Sequence, residues 1–151
     1  VEVGIADLQR ALVAAIAHGV GHGGIDACAV AGHAPLHAAR AAFSGKCDPW
    51  LAELQTYLTG NRDFLVEYVT RNFPGVRTTV PSATYLGWLD FTQTAIDGSP
   101  YEFFKDKAKV ALSEGKIFGN EGAGHVRLNF GTSRKILEQG LEKMQKAFSA
   151  L

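Results

Sequence analysis

At 151 residues and 46% hydrophobic content the chain fits one ordinary domain, large enough to bury most of its apolar surface. Fifteen basic side chains balance fifteen acidic ones, which leaves no electrostatic reason to expect nucleic acid, and no apolar run approaches the roughly 20 residues of a membrane span. Residues 11–17 lack the flanks of a secretion signal, and Cys28 and Cys47 are too few for a disulfide scaffold, so the expectation is a soluble cytoplasmic protein with free thiols and neither nucleic-acid nor membrane partners.

Residues 1–47 form a helical segment unlike the rest, rich in alanine, glycine and histidine. Asp7 is placed to cap a helix carrying Leu8, Leu12, Ala15 and Ile16, which Gly19, Gly21, Gly23 and Gly24 end. Pro35 starts a second helix through Leu36, Ala39 and Phe43. From Asp48 the pattern sharpens. Pro49 suits the first helical position, and Trp50, Leu51, Leu54, Tyr57, Leu58, Leu65, Tyr68 and Val69 recur at helical steps. Gly60-Asn61 is a soft spot in a helix about 36 Å long, which is long for so small a domain.

Asn72-Phe73-Pro74-Gly75 stops that helix, and the period changes. Residues 76–80 and 85–91 read as strands broken by Pro81-Ser82. Ser99-Pro100 opens a helix through Phe103, Phe104 and Ala108. A short apolar segment, Val110-Ala111-Leu112, precedes a glycine-punctuated loop over 115–124. Residues 125–130 are a third strand. Ser133 caps a last helix with Ile136, Leu137, Leu141, Met144 and Phe148 on one face. The order predicts an α+β domain over 48–151: a small, mostly antiparallel sheet with helices packed on one side, preceded by a long helix.

Five pieces then carry a resemblance. They are the 50–62 stretch of the long helix, Phe73-Pro74-Gly75-Val76, and Thr84-Tyr85-Leu86 with Trp88, Asp90 and Phe91. Next come Ala108-Lys109-Val110-Ala111-Leu112-Ser113 and the glycine loop, running into Val126-Arg127-Leu128-Asn129-Phe130. In this order and spacing, residues 35–151 resemble the C-terminal (small) domain of fold-type I pyridoxal-phosphate (PLP) enzymes. The branch is that of the cystathionine β-lyases, or C–S lyases, in the aspartate-aminotransferase superfamily, and it makes the long helix an interdomain helix.

The resemblance implies PLP as cofactor, an amino-acid substrate and a homodimer or larger assembly. It implies α,β-elimination of cystathionine or related cysteine conjugates to thiol, pyruvate and ammonia. An aminotransferase on the same fold is the first alternative, and a non-catalytic partner- or metal-binding fragment the second. The family's cofactor sits mainly on a large domain, on a lysine followed by a glycine-containing loop. Neither Lys46 nor Lys116 has that setting, and the residues that meet the ring have no counterpart. No catalytic or cofactor-binding residue is therefore assigned, and the chain alone looks partial and is expected to be inactive.

Arg127 is the substrate-binding candidate. In the family, the arginine of this strand holds the substrate's α-carboxylate, and a planar guanidinium suits that task by making two parallel charge-assisted bonds. Read without the resemblance, Arg127 is a strand-edge arginine bonded to a local carboxylate. Phe118-Gly119 and Gly122-Ala123-Gly124 form either a ligand-approaching loop or a plain connection. Tyr85 and Trp88 read as core aromatics beside the site. His18 and His22, like His33 and His37, stand four apart, with Cys28 between the pairs and Cys47 beyond. That pattern suits a metal only on intact helices, and the glycines argue against it, so no metal ligand is assigned.

Overall fold

The computed structural model describes residues 33–151, with side chains from residue 38 onward. The helix expected over residues 7–16 lies outside the described residues. Two compact units divide the chain, residues 1–55 and 56–151.

In the first unit, α1 spans His33–Ala42, starting two residues before the Pro35 start expected and ending one before Phe43. The Ser44 hydroxyl donates to the Ala41 carbonyl at 2.7 Å, and Gly45 turns away at φ +78°. Helix α2, Asp48–Asn72, begins here and continues into the second unit. It runs unbroken through Gly60-Asn61. Asparagine weakens helices because its amide competes for nearby backbone. Here the Asn61 amide is engaged far away, donating to the carbonyls of Phe130 and Thr132 at 3.0 and 2.8 Å. The helix ends as its sequence predicts, with Gly75 at φ +84° packed where a Cβ would meet the Gln93 carbonyl.

Four short strands follow: β1 (Arg77–Thr78), β2 (Leu86–Asp90), β3 (Ser113–Glu114) and β4 (His125–Asn129). Their order is β1-β2-β4-β3, and every neighbouring pair is antiparallel. This is the expected α+β small domain. The strand expected over 76–80 shrinks to two residues. Pro81 has no N–H to extend the ladder, and the Thr78 hydroxyl bonds the Trp88 carbonyl at 2.9 Å where it ends. β3 was not foreseen, because two polar residues carry no alternation.

The alternation of β2 and β4 sorts their side chains. Leu89, Val126 and Leu128 point into a core shared with Leu65, Val69 and Phe73, and with Leu137, Leu141, Met144 and Phe148. The last four lie on α4 (Arg134–Phe148), whose cap Ser133 accepts from the Ile136 N–H at 3.4 Å. Gly87 admits α2 to the sheet: a Cβ there would run into Leu65. The 100–108 helix divides. α3, Pro100–Phe103, passes into a π-turn over Phe104–Ala108 that buries Phe104 fully and stops at Lys109, held left-handed at φ 56°.

Candidate functional site

The other parity of the same strands builds the site. Trp88 and Arg127 are direct cross-strand partners, and Ser113 of β3 stands opposite Arg127 on its other side. Arg127 Nη2 donates to the Ser113 hydroxyl at 3.3 Å. The Phe118 ring covers the guanidinium, whose carbon lies 4.4 Å from the ring centroid. Trp88 meets Phe118 edge-on at 5.9 Å and stacks on His125 at 5.5 Å. Arg127 Nε is buried and has no hydrogen-bond partner. Among the described residues no carboxylate lies within ion-pair distance of Arg127. An unpaired buried donor on a cation is costly.

Arg127 also borders a groove of about 310 Å³ between the 110–113 segment and α4, which the core residues Leu128, Leu137, Leu141 and Met144 line as well. It is mostly apolar, and no lysine or carboxylate lines it. Lys46 and Lys116 are exposed and lie outside it. Tyr85 is outside too, its ring packed against Gly131.

The loop that carries Phe118 is two 3₁₀ turns, Gly115–Phe118 and Asn120–Gly122. Gly115 and Gly122 touch through their backbones, and a Cβ on either would strike the other's carbonyl oxygen. Gly119 between the turns sits at φ 134°, a conformation reserved for glycine. The glycines thus fasten the base of the loop.

Next to the aromatic cluster, Asp90 is held by Arg77 through Nε and Nη2 at 3.0 and 2.6 Å. It also accepts from the Thr92 N–H and hydroxyl at 2.8 and 2.6 Å. Burial pushes the carboxyl up, but the Thr92 bonds, the Arg77 bond and the charge of His125 outweigh it and hold its pKa down at about 2. His125 Nδ1 donates to the Ala123 carbonyl at 2.9 Å, leaving Nε2 3.7 Å from Asp90.

The sequence named Arg127 but read Tyr85 and Trp88 as core aromatics; Tyr85 is instead 45% exposed, and Trp88 lies outside the buried core, beside Arg127. Ser113 was not singled out, and only its register opposite Arg127 brings it to the site. The side chains of His18, His22, His33 and His37 and of Cys28 lie outside the described residues, and Cys47 is exposed.

No protein-family model matches the chain. Relatives and solved structures do. The chain is 36% identical to the cystathionine β-lyase PatB of Bacillus subtilis over 143 residues, 94% of this chain and 35% of that one. The PLP-bound C–S lyase from Staphylococcus hominis superposes with a TM-score of 0.65 at 30% identity, covering 71% of this chain and 29% of that one. Cystalysin from Treponema denticola, which contains pyridoxal 5'-phosphate, superposes at 0.64 and 28% identity, covering 70% and 27%. Aminotransferases match at 27% identity. The chain spans between 28% and 35% of the length of the first curated relatives it matches.

Proposed function

Because this chain belongs to the family of PLP-dependent C–S lyases and aminotransferases, we propose that it is the C-terminal portion of a lyase acting on cystathionine or related cysteine conjugates. Residues 48–151 are its small domain with the leading interdomain helix, and Arg127 holds the substrate's α-carboxylate. The overall reaction is α,β-elimination to thiol, pyruvate and ammonia. The observation that supports the reading is Arg127 itself, on the border of an open groove and, among the described residues, without a carboxylate partner. A carboxylate accepting from its guanidinium would make a charge-assisted bond. Among the curated relatives, those named as cystathionine β-lyases match at 36–40% identity and the aminotransferases at 27%, which supports elimination as the first reading.

The described residues do not fit the cofactor itself. The groove has no lysine for a covalent link and no carboxylate to meet a ring nitrogen. We expect the described residues by themselves to turn over neither cystathionine nor an amino-acid and oxo-acid pair. The working location is the cytoplasm, and no helix among the described residues is long and apolar enough to cross a membrane. Self-association into a dimer or larger is part of the same reading.

The test is a titration of the isotopically labelled chain, following the Arg127 Nε–H resonance. L-cystathionine is expected to shift it saturably, at millimolar concentration or above, and the corresponding amine lacking the α-carboxylate to leave it unmoved. An equal response to both ligands would remove Arg127 from the substrate site.

A further inference from the structure

We propose that Phe118 is a positioning residue that fixes the plane of the Arg127 guanidinium. Only its consequence for ligand binding rests on the reading of Arg127 above. A guanidinium has two kinds of surface. Its faces attract aromatic rings, and its N–H donors all lie in the plane, at the edges. A carboxylate is gripped at the edge. The ring of Phe118, 4.4 Å from the guanidinium carbon, occupies a face and consumes no donor. The Ser113 hydroxyl takes one edge donor, on Nη2. Together they remove the two freedoms that matter, rotation about the side chain's end and tilt out of plane, while Nε stays without a partner.

Phe118 is not placed there by burial. It is 50% exposed, so the usual reason for a phenylalanine in a folded domain is weak. Its contacts are with Arg127 and, edge-on, with Trp88, the cross-strand partner of Arg127. The loop beneath it is fastened by the Gly115–Gly122 backbone contact, and the chain leaves Phe118 through Gly119 at φ 134°. The ring thus sits on a loop closed by the two glycines and lies over the guanidinium.

The experiment uses the same labelled chain with Phe118→Ala, Phe118→Leu and Phe118→Tyr. In the unliganded wild type, the Arg127 Nε–H resonance is expected to carry the ring-current shift of a stacked aromatic and to exchange slowly with water. Phe118→Ala should abolish the shift and speed exchange severalfold, with the amide spectrum of the core unchanged. Phe118→Tyr should restore both. Phe118→Leu, which covers the face without a π system, should restore neither fully. Cystathionine affinity should fall about two- to fivefold in the alanine variant, the scale of an exposed cation–π contact. An Arg127 resonance indifferent to Phe118→Ala overturns the proposal, and so does full restoration by leucine. The two readings fail separately. If cystathionine moves nothing in the wild type while Phe118→Ala still frees the guanidinium, the carboxylate assignment falls and the positioning role stands.

Discussion

Asn61 Oδ1 accepts a 3.0 Å hydrogen bond from Arg134 Nε, tying the middle of the long helix to the first residue of the last one. The asparagine is fully buried and spends its other end on the carbonyls of Phe130 and Thr132. The Arg134 guanidinium also stacks on Phe64 at 4.4 Å, and its backbone N–H donates to the Tyr57 hydroxyl at 2.7 Å. One buried side chain therefore fixes where β4 ends and α4 begins, and hence where the Arg127 groove lies.

Asn61→Ala leaves two carbonyls and one guanidinium donor without partners in a buried to partly buried setting. We expect a loss of about 2–4 kcal/mol. Asn61→Asp should be no better, because an acceptor would then face two carbonyl oxygens. Urea denaturation checks both: the midpoint should drop with the slope unchanged.

Much of this was legible in the sequence, and the reasons are local. The α4 pattern and its Ser133 cap, the β2 and β4 alternations and the proline-glycine stop after α2 are strong short-range signals. The uninterrupted course through Gly60-Asn61 was less so. Its cause is a set of bonds to residues some 70 positions away, which no window on the sequence contains. β3 was missed for a related reason: Ser113–Glu114 is a strand only because β4 lies beside it. Arg127 was put forward from the family pattern, but the sequence could not reveal that its Nε lacks a partner or that Phe118 covers its face.

Asp90 gives a pH signature. Its folded pKa of about 2 lies below the ordinary carboxylate value of 3.8. A carboxyl depressed by folding stabilises the native state above its unfolded pKa, and that stability is lost as pH falls through the folded one. The contribution, about 1–2 kcal/mol after allowance for the exposed Arg77 partner, should therefore be whole at pH 5 and fade between roughly pH 4 and pH 2. Asp90→Asn should be less stable than wild type at pH 6, and the gap should close toward pH 2. A gap that stays constant with pH would show that the carboxylate's charge contributes nothing.

Two glycines should respond oppositely to alanine. A Cβ on Gly122 would collide with the Gly115 backbone, whereas one on Gly140, inside α4, meets nothing within 4 Å. Gly122→Ala should destabilise the domain and shift the Phe118 resonances. Gly140→Ala should stabilise it by about 0.5–1 kcal/mol through helix propensity alone. Thermal unfolding of the pair is sufficient. A stabilising Gly122→Ala would mean that the loop base is not fastened as described.

The last prediction concerns Arg127 in an enzyme of its relatives' length carrying these residues. On the proposed reading, Arg127→Ala removes the bidentate partner of the substrate carboxylate. Truncating one member of such a pair in a closed, poorly hydrated site costs about 2–5 kcal/mol. At about 1.4 kcal/mol per tenfold, kcat/KM should fall by roughly thirtyfold to several thousandfold. Arg127→Lys should recover little, because an ammonium is a point charge and cannot reproduce the planar fork, nor can it stack its face under Phe118 in the same way. An amine substrate without the α-carboxylate never had the contact and should lose far less. Comparing kcat/KM for the two substrates across the three proteins separates a binding arginine from a structural one. If both substrates suffer alike, Arg127 supports the sheet and does not hold the ligand.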